Sequence, residues 1–479
     1  MHLYFMGICG TAMGNVALML RESGHRVSGS DTGIYPPMSD LLIDAGVEIL
    51  DGWDAERLAE LQPDRVVVGN AISRGNPEIE WLLTTRALPI VSLPALLSET
   101  LLSTRQPIVI TGTHGKTTTS ALTAYLLREH RADPGWLIGG VPRDLPTGAH
   151  VGAVGRPFVI EGDEYDSAFF DKRSKFIHYQ PRILAVNNLE FDHGDIFRDL
   201  QDIQRSFSHV IRLVPQNGFI LYNGDDENLA PLLPVNWCSC FSVGVGERCD
   251  LRIEGFTESP TGARFRLRWR GALWEEIAWP MHGLYNARNV AIALLAAGLA
   301  IKPEDPFCAL SPGVLANYQG VKRRQENLCN ETELVILEDF GHHPTAVAQV
   351  LESLRRRYPE HQLTACFEPR SNTGATNIFQ DRFTDALALA DAVYLGPVFR
   401  GERYAEDKRL NTSEMASRLN EKGICSAAFS DFDSLLAELL EATHSKTDKP
   451  RCVVFFSNGG FGGIQHTYAK SAKSNTSVT

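Results

Sequence analysis

Apolar residues fall along this chain in short runs, separated by glycine-bearing turns and by stretches with helical spacing, which is the rhythm of alternating strands and helices. Residues 2–8 (HLYFMGI) form one such run; a helical pattern follows through Arg21, and then the strand-like HRVSGSD ends at Asp31. That is a βαβ opening. Arg65 to Val68 and Pro89 to Val91 continue the pattern until about Thr104, where the polar STRQP interrupts it. A second unit begins with PIVIT (107–111), passes through a glycine loop into a helix starting near Lys116, and leads to FVIE (158–161) and RILAVNN (182–188). From 250 to 280 the period drops to two: Phe265, Leu267 and Trp269 alternate with Arg264, Arg266, Arg268 and Arg270. The alternation reads as an antiparallel strand whose arginines form its solvated face, not a nucleic-acid site. A long helix is expected from Ala287 to Leu299, and the basic stretch YQGVKRRQEN (318–327) reads as a linker. Beyond it LVILED (334–339), LTACFEP (363–369), AVYLGP (392–397) and CVVFFSN (452–458) alternate with helical segments, predicting a mostly parallel sheet. The final KSAKSNTSVT reads as a frayed tail, too polar to pack.

The 479 residues correspond to about three domains at roughly 150 residues each, and the interruptions place them at 1–105, 106–322 and 323–479. The fold class is α/β. A net charge of -12 works against binding to nucleic acid or to an anionic membrane surface, both of which require a positive field. The nine cysteines are odd in number and scattered without a CxxC pair, so neither a disulfide framework nor a zinc ribbon is indicated and a reducing compartment fits. The first twenty residues lack a basic n-region and carry Gly7, Gly10 and Gly14, reading as strand, turn and helix instead of a signal peptide. The longest apolar run, Val290 to Ile301, is shorter than the roughly 18 residues of a membrane span. The expected location is cytoplasmic.

The strongest local signal is PIVITGTHGKTTTSALTAYLL: strand, glycine turn and helix, with Gly112, Thr113, His114 and Gly115 in the turn and Lys116, Thr117 and Thr118 opening the helix. Backbone N–H groups and the positive helix end would cradle a phosphate, Lys116 would neutralise it, and the Thr117 hydroxyl could reach magnesium. FVIEGDEYD then empties a strand into Glu161, Asp163, Glu164 and Asp166, and NNLEFDHGD supplies Glu190, Asp192, His193 and Asp195. Oxygen ligands at strand ends beside a phosphate loop are what magnesium needs. In GICGTAMG, Gly7 and Gly10 precede a helix and Asp31 ends the next strand. Those residues fit a nicotinamide site, another diphosphate ligand or simply a tight turn. In EDFGHHPTAV, Asp339 ends a strand, His342 and His343 lie in the loop and Pro344 opens a helix; ribose or base contacts by Asp339, with a histidine fixing the loop, are one reading and a metal pair is another. The glycines of SNGGFGGI (457–464) fit an anion nest or a turn, and Cys9 packs beside the first glycine turn.

Taken together, GTHGKTTT, EGDEYD, NNLEFDHGD, HGLYNARN, the KRR linker and EDFGHHPT resemble the Mur ligases, the ATP-dependent amide-forming enzymes of bacterial cell-wall synthesis, in order and spacing across nearly the whole chain. YPPMS, RGNP, DEYDSAFFDKRSKF, EPRSNT and SNGGFGGI narrow the resemblance to a peptide-adding branch that serves peptidoglycan recycling. The resemblance implies a Rossmann-like N-terminal domain that holds a UDP-sugar, a central P-loop ATPase domain and a Rossmann-like C-terminal domain that closes over both. It implies ATP and Mg2+ as cofactors. The implied reaction joins the lactyl carboxylate of UDP-N-acetylmuramic acid to L-Ala-γ-D-Glu-meso-diaminopimelate, the murein tripeptide, through an acyl phosphate; L-alanine is the alternative acceptor. By position, Lys116 would bind the ATP phosphates, Thr117 and Glu161 one magnesium and His193 a second. Asn286 and Asn289 would contact adenine, Arg323 or Arg324 the γ-phosphate and Asp339 the ribose side. Gly7, Gly10, Asp31, Asn70 and Ser73 would hold the UDP-sugar, and Arg370, Ser371, Asn372 and His343 the peptide. The carbamoylated lysine of many family members has no counterpart, since residues 193–219 contain no lysine. The implied state is a monomer or weak homo-oligomer. Against this stand a nicotinamide dehydrogenase built on the first domain and a nucleotide sensor that binds ATP without turning it over.

Overall fold

A computed structural model describes residues 1–444 and 449–476. The chain lays down three α/β layers in order. The first is a five-stranded sheet, all parallel, in the order Glu48–Asp51, Arg26–Asp31, His2–Met6, Arg65–Val68 and Ile90–Ser92. Its central strand is apolar at nearly every position because helices cover both faces, which is why HLYFM shows no alternation.

The central sheet has ten strands. Its parallel middle runs Ser239–Gly244, Phe219–Asn223, Ile183–Val186, Gln106–Thr111, Pro157–Gly162 and Gly135–Leu137. The three strands Leu251–Ser259, Gly262–Trp269 and Ala272–Trp279 extend one edge as an antiparallel meander, with Phe265 and Leu267 buried and Arg264 and Arg266 exposed as the alternation requires. Registers matter here: Thr111 pairs with Gly162 on one side and Val186 on the other, so three strands deliver their carboxyl ends to one crevice.

Helices Lys116–Glu129 and Leu284–Ile301 pack together over this sheet. The second is 18 residues long and apolar enough to cross a membrane, longer than the run visible in sequence, and 72% of it is buried inside the molecule. From Val290 to Leu299 it is hydrophobic all round because it is enclosed all round.

The third sheet has six strands, ordered Glu326–Asn330, Leu334–Asp339, Arg451–Phe456, Gln362–Phe367, Ala392–Leu395 and Cys425–Ala428; all pairs are parallel except the first.

Two sequence expectations are corrected. The stretch 318–327 is not an open linker: Tyr318 is buried, the Gln319 and Gly320 N–H groups bond Asp144, and Val321 bridges to Pro142. The chain end is not frayed throughout: a helix runs from Ile464 to Thr476, and Tyr468 and Ala469, four and three residues before Ala472, are buried with it on one face against the third sheet. Residues 477–479 lie outside the described residues. No disulfide joins any of the nine cysteines.

Candidate active site

The crevice is built first by the backbone. Strand Gln106–Thr111 ends at Gly112 (φ +131), and helix Lys116–Glu129 starts after Gly115 (φ +79) with no side-chain cap. A Cβ at Gly112 would lie 3.0 Å from Asn188 backbone atoms, and one at Gly115 only 2.7 Å from Asn289 Oδ1. Glycine is needed at both for conformation and for room. The uncapped N–H groups at this helix end face the crevice as an anion site.

Lys116 Nζ donates to the Gly112 carbonyl (2.7 Å) and to Glu164 Oε2 (2.8 Å). Glu164 Oε1 in turn lies 3.1 Å from His193 Nε2. Burial alone would lower the Lys116 ammonium, but Glu164 and Asp163 outweigh it and hold the pKa up. Burial would raise Glu164, yet Lys116 and His193 pull it down to about 2. On the neighbouring strand, Glu161 accepts the Thr117 hydroxyl at 2.9 Å and the Gly139 N–H at 2.7 Å. Burial, then the nearby Asp163, raises Glu161. The buried Glu164, the half-buried Glu161, a threonine hydroxyl and an imidazole thus surround the start of the phosphate helix, and the oxygens among them are hard donors that fit magnesium.

Two cavities meet at this loop. One, about 360 Å³, is lined by His114, Gly115, Asn286, Asn289, Arg324 and Asp339 among others. The second, about 650 Å³, holds Lys116, Thr117, Glu161 and His193 and reaches Thr11, Ala12 and Asn15 of the first layer. Asn286 Nδ2 donates to His282 O and its Oδ1 accepts from Asn289 Nδ2, so the pair is fixed as one polar wall. Arg324 is buried, its pKa lowered by that burial, and stacks over Phe340 at 4.6 Å. Arg323 instead turns to the Ser457 carbonyl (2.8 Å) and to Gly459 O. Of the two candidates for reaching the phosphates, Arg324 faces both cavities. Asp339 accepts the N–H groups of Gln325 (2.9 Å) and Gly341 (2.7 Å), anchoring the crossing chain from within the smaller cavity.

The first-layer residues gather at the head of helix Thr11–Glu22. Gly7 (φ +82) makes the turn, Gly10 precedes the helix, and Asp31 accepts the N–H groups of Cys9 (2.9 Å) and Gly33 (2.8 Å). Asn70 is 3.4 Å from Asp166, while the Ser73 hydroxyl donates to the neighbouring Arg74 carbonyl at 3.5 Å. In the third layer, Arg370 pairs with Glu368 (3.2 Å) and stacks on Phe399 at 3.7 Å. Ser371 caps the Gly374 N–H, and Asn372 reaches Asp195 of the central layer at 2.8 Å. His343 does not join them. It is 1% exposed, its Nε2–H donates to Phe191 O (3.2 Å), and its Nδ1 accepts the Thr345 N–H (3.3 Å), capping helix Pro344–Arg357. Of the readings open in the sequence for the histidine pair, this geometry is that of a histidine fixing the loop.

Sequence reasoning left four contributors without an individual role. Glu164 was one acid in a run, and only its place between Lys116 and His193 singles it out. Asn187 and Asn188, at the end of RILAVNN, hold the phosphate loop: Asn188 Oδ1 accepts the His114 N–H at 2.7 Å and Asn187 Nδ2 donates to Thr119 Oγ1 at 2.8 Å. Two polar residues closing an apolar strand were the available signal. Glu190 contacts His114, Thr345 and Arg382.

Residues 2–105 match the model described as Mur ligase family, catalytic domain, and residues 110–297 the Mur ligase middle domain. The chain is 38% identical over 467 residues, 97% of its length and 96% of the relative's, to the UDP-N-acetylmuramate–L-alanyl-gamma-D-glutamyl-meso-2,6-diaminoheptandioate ligase of Escherichia coli (strain K12). A murein peptide ligase from Psychrobacter arcticus 273-4 is 34% identical with a TM-score of 0.67, covering 98% of both chains. The UDP-N-acetylmuramate-alanine ligase of Thermotoga maritima, 21% identical, shares the fold at a TM-score of 0.75 over 99% of this chain and 100% of that one.

Proposed function

The chain belongs to the Mur ligase family, and from that premise we propose that the crevice carries out ATP-dependent amide ligation with the residues assembled at its phosphate loop. The enzyme joins the lactyl carboxylate of UDP-N-acetylmuramic acid to the L-alanyl amine of L-Ala-γ-D-Glu-meso-diaminopimelate through an acyl phosphate, releasing ADP and phosphate. The nicotinamide alternative is set aside, because the residues that suggested it lie inside the family match over 2–105.

The observation that carries the site assignment is the run Thr117–Glu161 and Lys116–Glu164–His193 at the carboxyl ends of three parallel strands. A carboxylate repels both ATP and an incoming amine, so activation requires cations held in a site shielded from water. Lys116 supplies one fixed positive charge, and the uncapped helix end supplies partial charge. Thr117, Glu161 and His193 would hold magnesium, which would supply positive charge to offset that of the phosphates. Glu164 orients Lys116 and His193 together. Arg324 brings a second guanidinium charge from the third layer, and the Asn286–Asn289 wall takes the adenine end in the smaller cavity. The head of helix Thr11–Glu22, opening into the larger cavity, takes the UDP-sugar diphosphate with Gly7, Gly10 and Asp31 shaping its turn. Arg370, Ser371 and Asn372 meet the peptide's carboxylates, and the reaction takes place in the cytoplasm.

The test is phosphate release and product mass with ATP, magnesium and UDP-N-acetylmuramic acid, comparing the tripeptide with L-alanine. Ligated product with the tripeptide only is expected. Turnover with alanine alone would replace the acceptor, and none with either would overturn the ligase reading.

A further inference from the structure

Between the phosphate loop and the third layer runs a short strip of the central domain, residues 190–195, that grips both sides. Its main chain is tied to the loop: the Glu190 N–H donates to Thr113 Oγ1 at 2.8 Å, and that hydroxyl donates back to Glu190 O at 3.2 Å. Its side chains and amides reach the other way. Phe191 O accepts from His343, the Gly194 N–H donates to Thr373 Oγ1 at 3.0 Å, and Asp195 accepts from Asn372.

Glu190 is the junction. Its Oε2 accepts the Thr345 hydroxyl at 2.7 Å, in the first turn of helix Pro344–Arg357, and Arg382 Nη2 at 2.9 Å. Its Oε1 lies 3.5 Å from Nε2 of His114, a buried nitrogen with no other partner among the described residues. The His114 ring rests on the His343 ring at 4.5 Å between centroids. Burial would raise the Glu190 carboxyl, but His114 and the Thr345 hydroxyl are among the groups that hold it well below the usual range, so it stays ionised. The donor atoms of His114, Glu190 and His343 lie within 4.8 Å of one another, a spacing that would suit a cation. The geometry argues otherwise: a guanidinium already occupies Glu190, and both His343 nitrogens are engaged. This is an ion-pair junction across a domain boundary.

We infer that Glu190 is a positioning residue that couples the seating of the third domain to the phosphate loop. Thr345 and Arg382 fix one carboxylate oxygen, and the other then holds His114, and with it the loop, in the phosphate-binding shape. The smaller cavity, lined by Glu190 on one side and Ala346, Gln349 and Val350 on the other, closes around a nucleotide only in that state. The inference rests on the ligase reading only in taking that cavity as the nucleotide site.

The experiment is calorimetric titration of the full chain with magnesium and the non-hydrolysable analogue AMP-PNP, with no sugar or acceptor present. Glu190→Gln and Arg382→Ala are each expected to weaken binding about tenfold, and the double variant to be no weaker than either single by more than about twofold, since coupled partners are not additive. Arg382 is 48% exposed, so its removal leaves the fold in place. Thr345→Val should lose affinity and Thr345→Ser keep it, which a merely structural role for this position would not produce. Binding within about twofold of the parent for Arg382→Ala, or single effects that multiply in the double variant, would overturn the coupling. Because no acceptor is used, failure of tripeptide ligation would bear on the acceptor assignment and not on this junction.

Discussion

At the scale of single residues, the site works by setting buried charges against one another. Glu161 has a hydroxyl and a backbone N–H as its hydrogen-bond partners among the described residues, and burial raises its pKa, so a cation is its natural complement. Glu161→Gln keeps the shape and removes the charge. It is expected to raise the magnesium concentration for half-maximal phosphate release by about tenfold, and an unchanged magnesium curve would remove Glu161 from the metal site. A second prediction concerns buried imidazoles. His282 is pushed down from 6.5 to about 4, first by burial and then by Arg357. The unfolded chain therefore binds the proton more readily than the folded one between about pH 6.5 and 4. Stability is full above 6.5 and falls as the pH drops through that window, by up to roughly 3 kcal/mol at 1.36 kcal/mol per pKa unit. Thermal midpoints recorded from pH 7 down to pH 4.5 should decline, and His282→Gln should flatten the decline. Parallel curves for the two proteins would assign the acid sensitivity elsewhere.

At the scale of elements, what could be read from the chain depended on whether an element carries its own signal. PIVIT, LVILED and CVVFFSN are legible because a parallel strand covered on both faces must be apolar throughout, and the glycine turn after PIVIT is legible because its backbone tolerates little else. Stretch 318–327 was illegible for the opposite reason: Tyr318 and Val321 are buried by residues near 125–144, which are remote in sequence. The closing helix was hidden likewise, since the third sheet and helix Phe432–His444, which give Tyr468, Ala469 and Ala472 common partners, are remote from it or say nothing of it in sequence. The site divides along the same line. Lys116, Thr117 and Glu161 sit in motifs, whereas the roles of Glu190 and His343 arise where two domains touch. The turn itself offers a sharp test. Gly115→Ala places a methyl 2.7 Å from Asn289 Oδ1 at a φ of +79, where an L side chain is strained. Helix content should be retained, because the helix begins after this residue, while AMP-PNP binding should fall by more than about tenfold, the effect of a loop displaced by even 1 Å. Near-parental affinity would mean that the loop does not cradle the phosphates.

At the scale of the whole molecule, the two interfaces are unlike. One apolar cluster runs through the first and central layers without a break, joining Leu3, Phe5, Leu96 and Leu97 to Val109, Phe158, Leu184 and Phe207. The third domain has its own apolar clusters on both faces of its sheet, one of which takes in Phe191 and Tyr285 of the central layer, and it also meets that layer through polar contacts such as Glu190–Arg382, Asn372–Asp195 and Arg356–Glu258. Apolar burial binds layers into one cooperative unit, whereas polar contacts at a wet boundary contribute about 0–1 kcal/mol each when exposed. Scanning calorimetry of the free protein should therefore show two transitions, one for residues of the first and central layers together and one for the third. Leu96→Ala, which opens a cavity in the shared cluster, should cost about 2–5 kcal/mol and move only the first of these. Magnesium and AMP-PNP, on the proposed site between the central and third domains, would stabilise the joined state by mass action, about 2.7 kcal/mol at a hundredfold excess over Kd. They should draw the two transitions together, and Arg382→Ala should keep them apart at the same ligand saturation. A single transition in the free protein would show that the polar boundary is as cooperative as the apolar one, and the third domain could then not move independently to admit its substrates.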